Sequence, residues 1–540
     1  MHPPRVHRRR VALVALLLSV SLIAGCINTF YRTDIWRVDR PAAGDASRSA
    51  IRSPLKAHLR DGSTIVFERG ATITHDSLSG DGQRYALSGT IPFHVTAVPM
   101  DSVVGVETFE SKFLAAPTIA VSLAATAAGA MGAGLLAVAI FGSCPTVYAD
   151  SGATGSLQAE GFSYAIAPLL EQRDVDPLRV RADSSGRLRL ELRNEALETH
   201  YINHVEVLAV RHATGEQVVP DQQGKPVVVG AIVPLTRAVD RAGRDVSPTL
   251  AASDGRLFTS HPGTVRRARV GDVDDWIDIE VGALPPGDSL AVVLRLRNSL
   301  LNTILMYEGM LGGRDAADWM HDGLQHISSA VDMARWYSRS MGMRATVEGV
   351  SVPDGDMKRG LARLGDVGPI AFRDVAIVLP RAARDAKTAR VRLRFVADNW
   401  RIDEVRVAGV LARPATATLA VERVVVPEPA VTRGPTLDTA AVSALADADD
   451  RYLETRPGQR MLLEFVPDSA TRATRDTATT YLIAWQGWYR EWIRGAWLAE
   501  PTRTTPFVPG DAAIVTALRR WTSRQEQFER EFYSSKLPVR

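Results

Sequence analysis

The chain has 540 residues, 46% of them hydrophobic and 23% charged, with a formal net charge of +3. So small a net charge leaves no electrostatic footprint for nucleic acid. Two cysteines, Cys26 and Cys144, are too few for a disulfide scaffold or a cysteine-ligated zinc.

The first element is a cationic head, Arg5, Arg8, Arg9 and Arg10, followed by Val11 to Ala24, apolar except for Ser19 and Ser21. That stretch is shorter than a membrane span and has the length of a signal-peptide core. It ends in Ile23-Ala24-Gly25-Cys26, which resembles the lipobox of bacterial lipoproteins. The resemblance implies that residues 1–25 are a lipoprotein signal peptide and that Cys26 is the lipid-attachment site, carrying palmitate-type acyl chains. Two or three such chains hold far more firmly than one. The partner implied is the lipid bilayer, and the localisation is the bacterial cell envelope. Cleavage would remove four arginines and no acid, leaving the rest close to neutral. Ile27 stands where an inner-membrane retention signal would place aspartate, which favours the outer membrane over the inner.

Residues 26–53 read as a linker, and 54–113 as a small β module. Leu55, Ala57 and Leu59 alternate with polar neighbours, Asp61-Gly62 marks a turn, and Thr64 to Phe67 makes the next strand. A second turn is expected around Ser79 to Gly82, and a last strand at Ser102 to Phe109. Residues 114–143 carry no charge and are rich in alanine and glycine at four-residue spacing, as in Ala125 and Gly129 or Ala130 and Gly134. This hydrophobic helical segment is long enough to span a bilayer, and its small residues allow close helix packing. It reads as a membrane-inserted element, a hairpin or shallow insertion in preference to a full crossing; the competing reading is a buried hairpin or helix.

Residues 144–298 read as a β-sandwich module. Leu188, Leu190 and Leu192 alternate with charges, and Val205, Val207 and Ala209 (or Leu208 and Val210) follow. Val273 to Val281 and Leu290 to Leu296 look like two more strands. Cys144 is expected to be a buried thiol at the entry to this module. Residues 299–342 read as a helical pair, broken at Gly312-Gly313, with Met320, Leu324, Ile327, Val331 and Ala334 at helical spacing. A second β-sandwich module, 343–426, has strands at Val375 to Leu379, Val391 to Val396 and Val405 to Val410. Pro427-Glu428-Pro429 signals a short linker. The last region, 427–540, is mixed α/β and Trp-rich, with a strand at Met461 to Phe465, a helix carrying Trp485, Trp488, Trp492 and Trp497, and a final amphipathic helix carrying Trp521. The fold class is a β-rich α+β multidomain protein.

Gly142-Ser143-Cys144-Pro145-Thr146-Val147-Tyr148 and Glu198 to Val207 resemble a β module attached to bacterial tetratricopeptide and integrin-like repeat proteins, and found in lipoproteins of unknown function. Gly368 to Val375 and Ala397 to Asp403 resemble uncharacterised envelope proteins. The resemblance implies a β-sandwich and an envelope location, and no reaction.

Candidate chemistry is sparse. No Gly-x-Ser-x-Gly and no P-loop occurs, and Gly129 to Gly134 lies inside the apolar segment. Glu198, His200 and His204 would share one face of a strand and could hold a borderline metal, but two strand residues four apart lie ~13 Å apart, so a solvated face is preferred. His321 and His326 have the wrong spacing for helical zinc ligation. Asp272, Asp274, Asp275, Asp278 and Glu280 cluster around Trp276; without the glycine-centred spacing of a calcium loop they read as a turn and a strand with one wet face, and so do Asp447, Asp449 and Asp450. The four tryptophans are expected to be core in preference to a membrane-interface belt beside Arg490 and Arg494. No catalytic, cofactor or metal residue is assigned. The expected function is non-catalytic binding or scaffolding in the envelope, through a protein partner there; the alternative is an envelope hydrolase acting on glycans.

Overall fold

Period-two patterning dominates the chain, and the computed structural model accordingly is β-rich with few helices. It describes residues 29–37, 49–52, 55–59, 63–67, 69–85, 93–113, 144–149, 155–166, 170–183, 186–306, 335–352, 360–384, 390–426, 436–449, 451–467, 474–491, 507–534, 536, 537 and 539. Cys26, the segment 114–143, the helical positions Met320 to Ala334, the linker Pro427 to Pro429, and Trp492 and Trp497 lie outside the described residues.

Eight antiparallel strands between Thr29 and Phe113 form sheet 1. Leu55–Leu59 pairs with Thr64–Phe67 as the alternation predicts, and Leu55, Ala57, Ile65 and Phe67 are buried. Two expectations are corrected here. The presumed linker 26–53 contains strands: Thr29–Arg37 extends the sheet along Val103–Phe113, and Ser49–Ile51 pairs with Ala71–Ile73. The expected turn at Ser79 to Gly82 is the interior of one strand, Ser77–Tyr85, with a register shift between Ser79 and Gly82. The glycines there serve packing. A Cβ on Gly80 or Gly82 would lie within 2.9 Å of the Phe67 ring.

The remaining strands build two β-sandwiches. In the first, sheet 2 orders Leu157–Glu160, Thr146–Ala149, Leu188–Arg193, Arg460–Phe465, Arg423–Val426 and Thr436–Leu437. Sheet 3 orders Gln172–Leu178, Thr477–Glu491, Glu198–Ala213 and Thr416–Ala420, with Leu453–Thr455 also pairing Glu198–Ala213. Between them lie Leu188, Leu190, Leu192, Val205, Val207, Leu463, Phe465, Ile483 and Trp485. In the second sandwich, sheet 4 orders Gln217–Pro220, Pro226–Val233, Trp400–Ala412, Ser289–Asn298 and Arg373–Val378. Sheet 5 orders Leu235–Asp240, Asp274–Val281, Arg390–Val396, Met343–Val347 and Ala362–Leu364. Their shared core includes Ile277, Ile279, Val292, Leu294, Ile377, Leu393 and Val407.

The strand pairing cuts across the expected modules 144–298 and 343–426. Ser289–Asn298 pairs with both Arg373–Val378 and Trp400–Ala412, whereas Leu188–Arg193 pairs with Arg460–Phe465. The second sandwich is therefore inserted into the first, between Glu198–Ala213 and Thr416–Ala420. The expected tryptophan helix is also corrected: Thr477–Glu491 is a strand that pairs along the length of Glu198–Ala213. Its threonines, tyrosines, isoleucine and tryptophans favour a pleated surface. The face of Glu198–Ala213 that carries Leu208 and Val210 is buried as well, because it meets Val218 and Val228 of sheet 4.

A separate core lies under the C-terminal helix Asp511–Ser534, which buries Ile514, Leu518, Trp521, Phe528 and Phe532 at helical spacing against Leu301, Ile304, Tyr489 and Cys144. Trp521 is fully buried, and its indole N–H donates to Asp398 Oδ2 at 2.6 Å. Asp398 sits in the turn between Arg390–Val396 and Trp400–Ala412 at a φ of +58°, and its carboxylate also accepts from Arg401 Nη1 at 2.9 Å. Trp521→Phe would remove the donor and leave this carboxylate one bond short. It is expected to cost about 2 kcal/mol and to speed cleavage within the C-terminal helix. An unchanged urea midpoint together with unchanged proteolysis would refute this anchoring role.

Candidate functional site

The sequence-derived candidates separate in space. Glu198 and His200 meet in the interior, both without exposed side-chain surface, with His200 Nε2 3.0 Å from Glu198 Oε1. His204 does not join them. A register shift between Ile202 and His204 turns His204 to the opposite face of sheet 3, where it pairs with Glu206 at 3.6 Å. The expectation that all three share one face is thereby corrected. A β-bulge reverses the alternation that a regular strand would keep. Asn203 sits at the bulge, donating to Glu171 Oε1 and accepting from the Asp449 backbone N–H. Among the described residues, no group of three His, Cys, Asp or Glu side chains is placed to hold a metal ion.

The acidic run around Trp276 becomes the strand Asp274–Val281, with alternate residues buried and half-exposed. Its wet face is matched by arginines. Asp278 takes both its oxygens to Arg392 at 2.6 and 2.7 Å, and Glu280 pairs with Arg390 at 2.6 Å. Trp276 lies under three guanidinium groups, those of Arg241, Arg392 and Arg394, at 4.7 to 5.2 Å. Asp449 is similarly engaged with Arg451. Of the tryptophans, Trp485 is fully buried beside Phe162, and Trp488 stacks on Tyr201 at 4.1 Å.

The strongest electrostatic feature is a set of residues that pattern alone does not single out, where the two sandwiches meet. Glu160, at the end of its strand in sheet 2, is 1% exposed. Its Oε2 accepts the backbone N–H groups of Ile370 and Ala371, at 2.7 and 2.9 Å, from the other sandwich. Gly368 permits that approach: it has a φ of +95°, and a Cβ there would lie 2.6 Å from the Glu160 carboxyl carbon. A few residues on, Arg373 extends from sheet 4 to two carboxylates of sheet 3, with Nη1 3.0 Å from Asp174 Oδ1 and Nη2 3.0 Å from Asp176 Oδ2. Asp174 also accepts the Phe162 backbone N–H at 2.7 Å.

Burial pushes the Glu160 carboxyl up to about 7, against the opposing pull of the Ala371 and Ile370 N–H groups. Burial likewise pushes Asp176 up to about 6, with Arg373 opposing it. Burial acts to lower Arg373, but Asp176 and Asp174 hold it above its ordinary value. Nearby, Asp366 is raised to about 6 by burial against hydrogen bonds that include those from Asn302 and Asn298, at 2.7 and 3.3 Å. These carboxyls are bound by backbone N–H groups, amides and a guanidinium, the arrangement of a joint between packed sheets.

No family model, curated protein or solved structure matches this chain.

The joint has a pH signature. A carboxyl raised on folding binds its proton more tightly in the native state. Its stabilising contribution is complete below the unfolded value and is lost as pH rises through the folded value. For Glu160, Asp176 and Asp366 the window runs from about 4 to about 7. Thermal stability should therefore fall between pH 5 and pH 7.5. Glu160→Gln, which keeps an acceptor for Ile370 and Ala371 without the ionisation, should flatten that fall and raise the midpoint at pH 7.5 by a few degrees, at about 2–4 °C per kcal/mol. Parallel pH profiles for the wild type and the variant would show that Glu160 does not titrate in this window.

Proposed function

We propose that this chain is a lipid-anchored protein of the bacterial cell envelope that binds or scaffolds a partner and carries out no reaction of its own. One observation carries the non-catalytic part. The carboxyls most displaced from their ordinary values, Glu160, Asp176 and Asp366, are all engaged by protein groups: Ile370 and Ala371, Arg373, and Asn298 and Asn302 respectively. A glycoside hydrolase instead needs an acid and a base or nucleophile facing one another across the space a sugar occupies, about 5–10 Å apart. Rigid coupling of two sandwiches suits a protein that presents fixed surfaces. Among the described residues no helix is long and apolar enough to cross a membrane. The anchor in this proposal is Cys26, supported by the Ile23-Ala24-Gly25-Cys26 pattern and by the cationic and apolar segments before it. The envelope location follows from that anchor, with the outer membrane favoured by Ile27.

Two measurements test the proposal. Cells fed labelled palmitate should label the wild-type chain and leave Cys26→Ala unlabelled; label retained by the variant would refute the anchor. The purified full chain in detergent should release no reducing ends from cell-wall glycan. Release that Glu160→Gln abolishes would establish the hydrolase instead.

A further inference from the structure

The outward face of sheet 5 concentrates arginine beyond what its acids balance. Three positions lie side by side across adjacent strands: Arg394 is in register with Arg344, and Arg344 with Arg363. Their sequence neighbours Leu393, Phe395, Met343, Ala345 and Leu364 enter the sandwich core, so the arginine side chains project from the other face. Like charges directly opposite one another destabilise a sheet unless something neutralises them. One carboxylate, Asp274, serves two of the three, at 2.8 Å from Arg344 and 3.6 Å from Arg394. Arg363 has Ser338 Oγ at 3.3 Å, and no described carboxylate forms an ion pair with it.

Two of the three, Arg344 and Arg394, border a cavity of about 400 Å³. Arg344, Arg390, Arg392 and Arg394 line it, against the acids Asp278 and Glu348. The Arg344 side chain is only 8% exposed, yet its buried Nε–H has no hydrogen-bond partner. A buried guanidinium N–H left unsatisfied beside a cavity is costly unless a ligand accepts from it. Burial depresses Arg363 below its ordinary value, with Asp366 opposing the shift and the nearby Arg339 and Arg344 adding to it.

We propose that this groove is an oxyanion site that takes a phosphoryl group, held by the Arg344 and Arg394 guanidinium groups. Guanidinium forks bind phosphate oxygens in pairs, and excess cationic charge in a recess selects an anion over a neutral sugar. The inference rests on the binding reading above only in that the ligand is held and not turned over. The phosphoryl group can come from free phosphate or from the phosphodiester of a lipid head group.

Calorimetric titration of the full chain in a non-ionic detergent tests the site, with two probes: inorganic phosphate, and glycerophosphoglycerol as the head-group diester. Binding of inorganic phosphate alone would assign a soluble ligand, and binding of the diester a lipid head group; either supports the site. Heat from neither probe at low salt overturns it. Arg394→Gln, half-buried on the cavity wall, should weaken binding about tenfold. Asp274→Asn should tighten it, because it removes the carboxylate that competes for Arg344 and Arg394. Tighter binding cannot result from misfolding. If Asp274→Asn and Arg394→Gln both leave affinity unchanged, as the remote Arg179→Gln should, the ligand is bound elsewhere and the proposal fails. Release of phosphate from an ester probe would instead overturn the non-catalytic reading and leave the groove in place.

Discussion

One guanidinium group, that of Arg373, joins two carboxylates of a neighbouring sandwich in a site almost closed to solvent. Taking such charges out of water costs several kcal/mol each, and the pairing offsets this only when geometry is good and the remaining donors and acceptors are also satisfied. The surrounding chain meets that condition. Asp174 holds the Phe162 N–H, Glu160 holds two N–H groups beyond Gly368, and the Arg373 guanidinium also donates to the Glu160 carbonyl. Phe162 and Tyr164 adopt positive φ values of 61° and 70° next to this site. Non-glycine residues hold such conformations only where their surroundings over-determine them. Apolar packing of Leu208, Val210, Leu482 and Ala484 against Val218 and Val228 supplies non-directional adhesion between the sandwiches. The ionic set supplies direction, since a rotation that leaves apolar surfaces covered would still misplace three buried charges.

The C-terminal helix repeats this logic with a single carboxylate. Asp398 is held at positive φ by a turn, braced by Arg401 and Ser260, and presented to the Trp521 indole. The helix thereby covers the ends of both sandwiches over one core shared by Val273 and Val396 of the second and Tyr489 of the first. At each joint a polar group from one unit completes the hydrogen bonding of a group in another.

Much of the local fold is legible in the residues. The alternation at Leu188, Leu190 and Leu192, the acidic run at Asp274 to Glu280 and the apolar run at Met461 to Phe465 all form the expected strands. The arrangement of those strands is less legible, because insertion of one sandwich into another leaves no mark on local periodicity. Residues 144–298 and 343–426 have the pattern of consecutive units although their strands interleave. Trp485 and Trp488 are spaced for a helix, and only pairing with Glu198–Ala213 makes them strand residues. The bulge at Asn203 has no signal in composition, yet it alone decides which face His204 occupies. The joint is hidden for a related reason. Asp174 and Asp176 flank one valine and have the pattern of a strand's wet face; their counter-charge, Arg373, stands 197 residues from Asp176.

The nesting of the sandwiches also constrains the order in which the chain can be built. Strand Glu198–Ala213 finds its long partner only after the inserted sandwich has been made; His212 and Thr480, which bond across the pair, are 268 residues apart. At a synthesis rate of about 5–20 residues per second, a nascent chain waits on the order of tens of seconds between the two. During that interval the inserted sandwich, contiguous in sequence, can close on its own. The first half of the outer one meanwhile has an apolar strand with neither neighbour in place, a template for pairing with another chain. Biogenesis of this protein therefore places its greatest aggregation hazard in a half-made sheet, and a holdase that covers Glu198–Ala213 until Thr477–Glu491 arrives would relieve it.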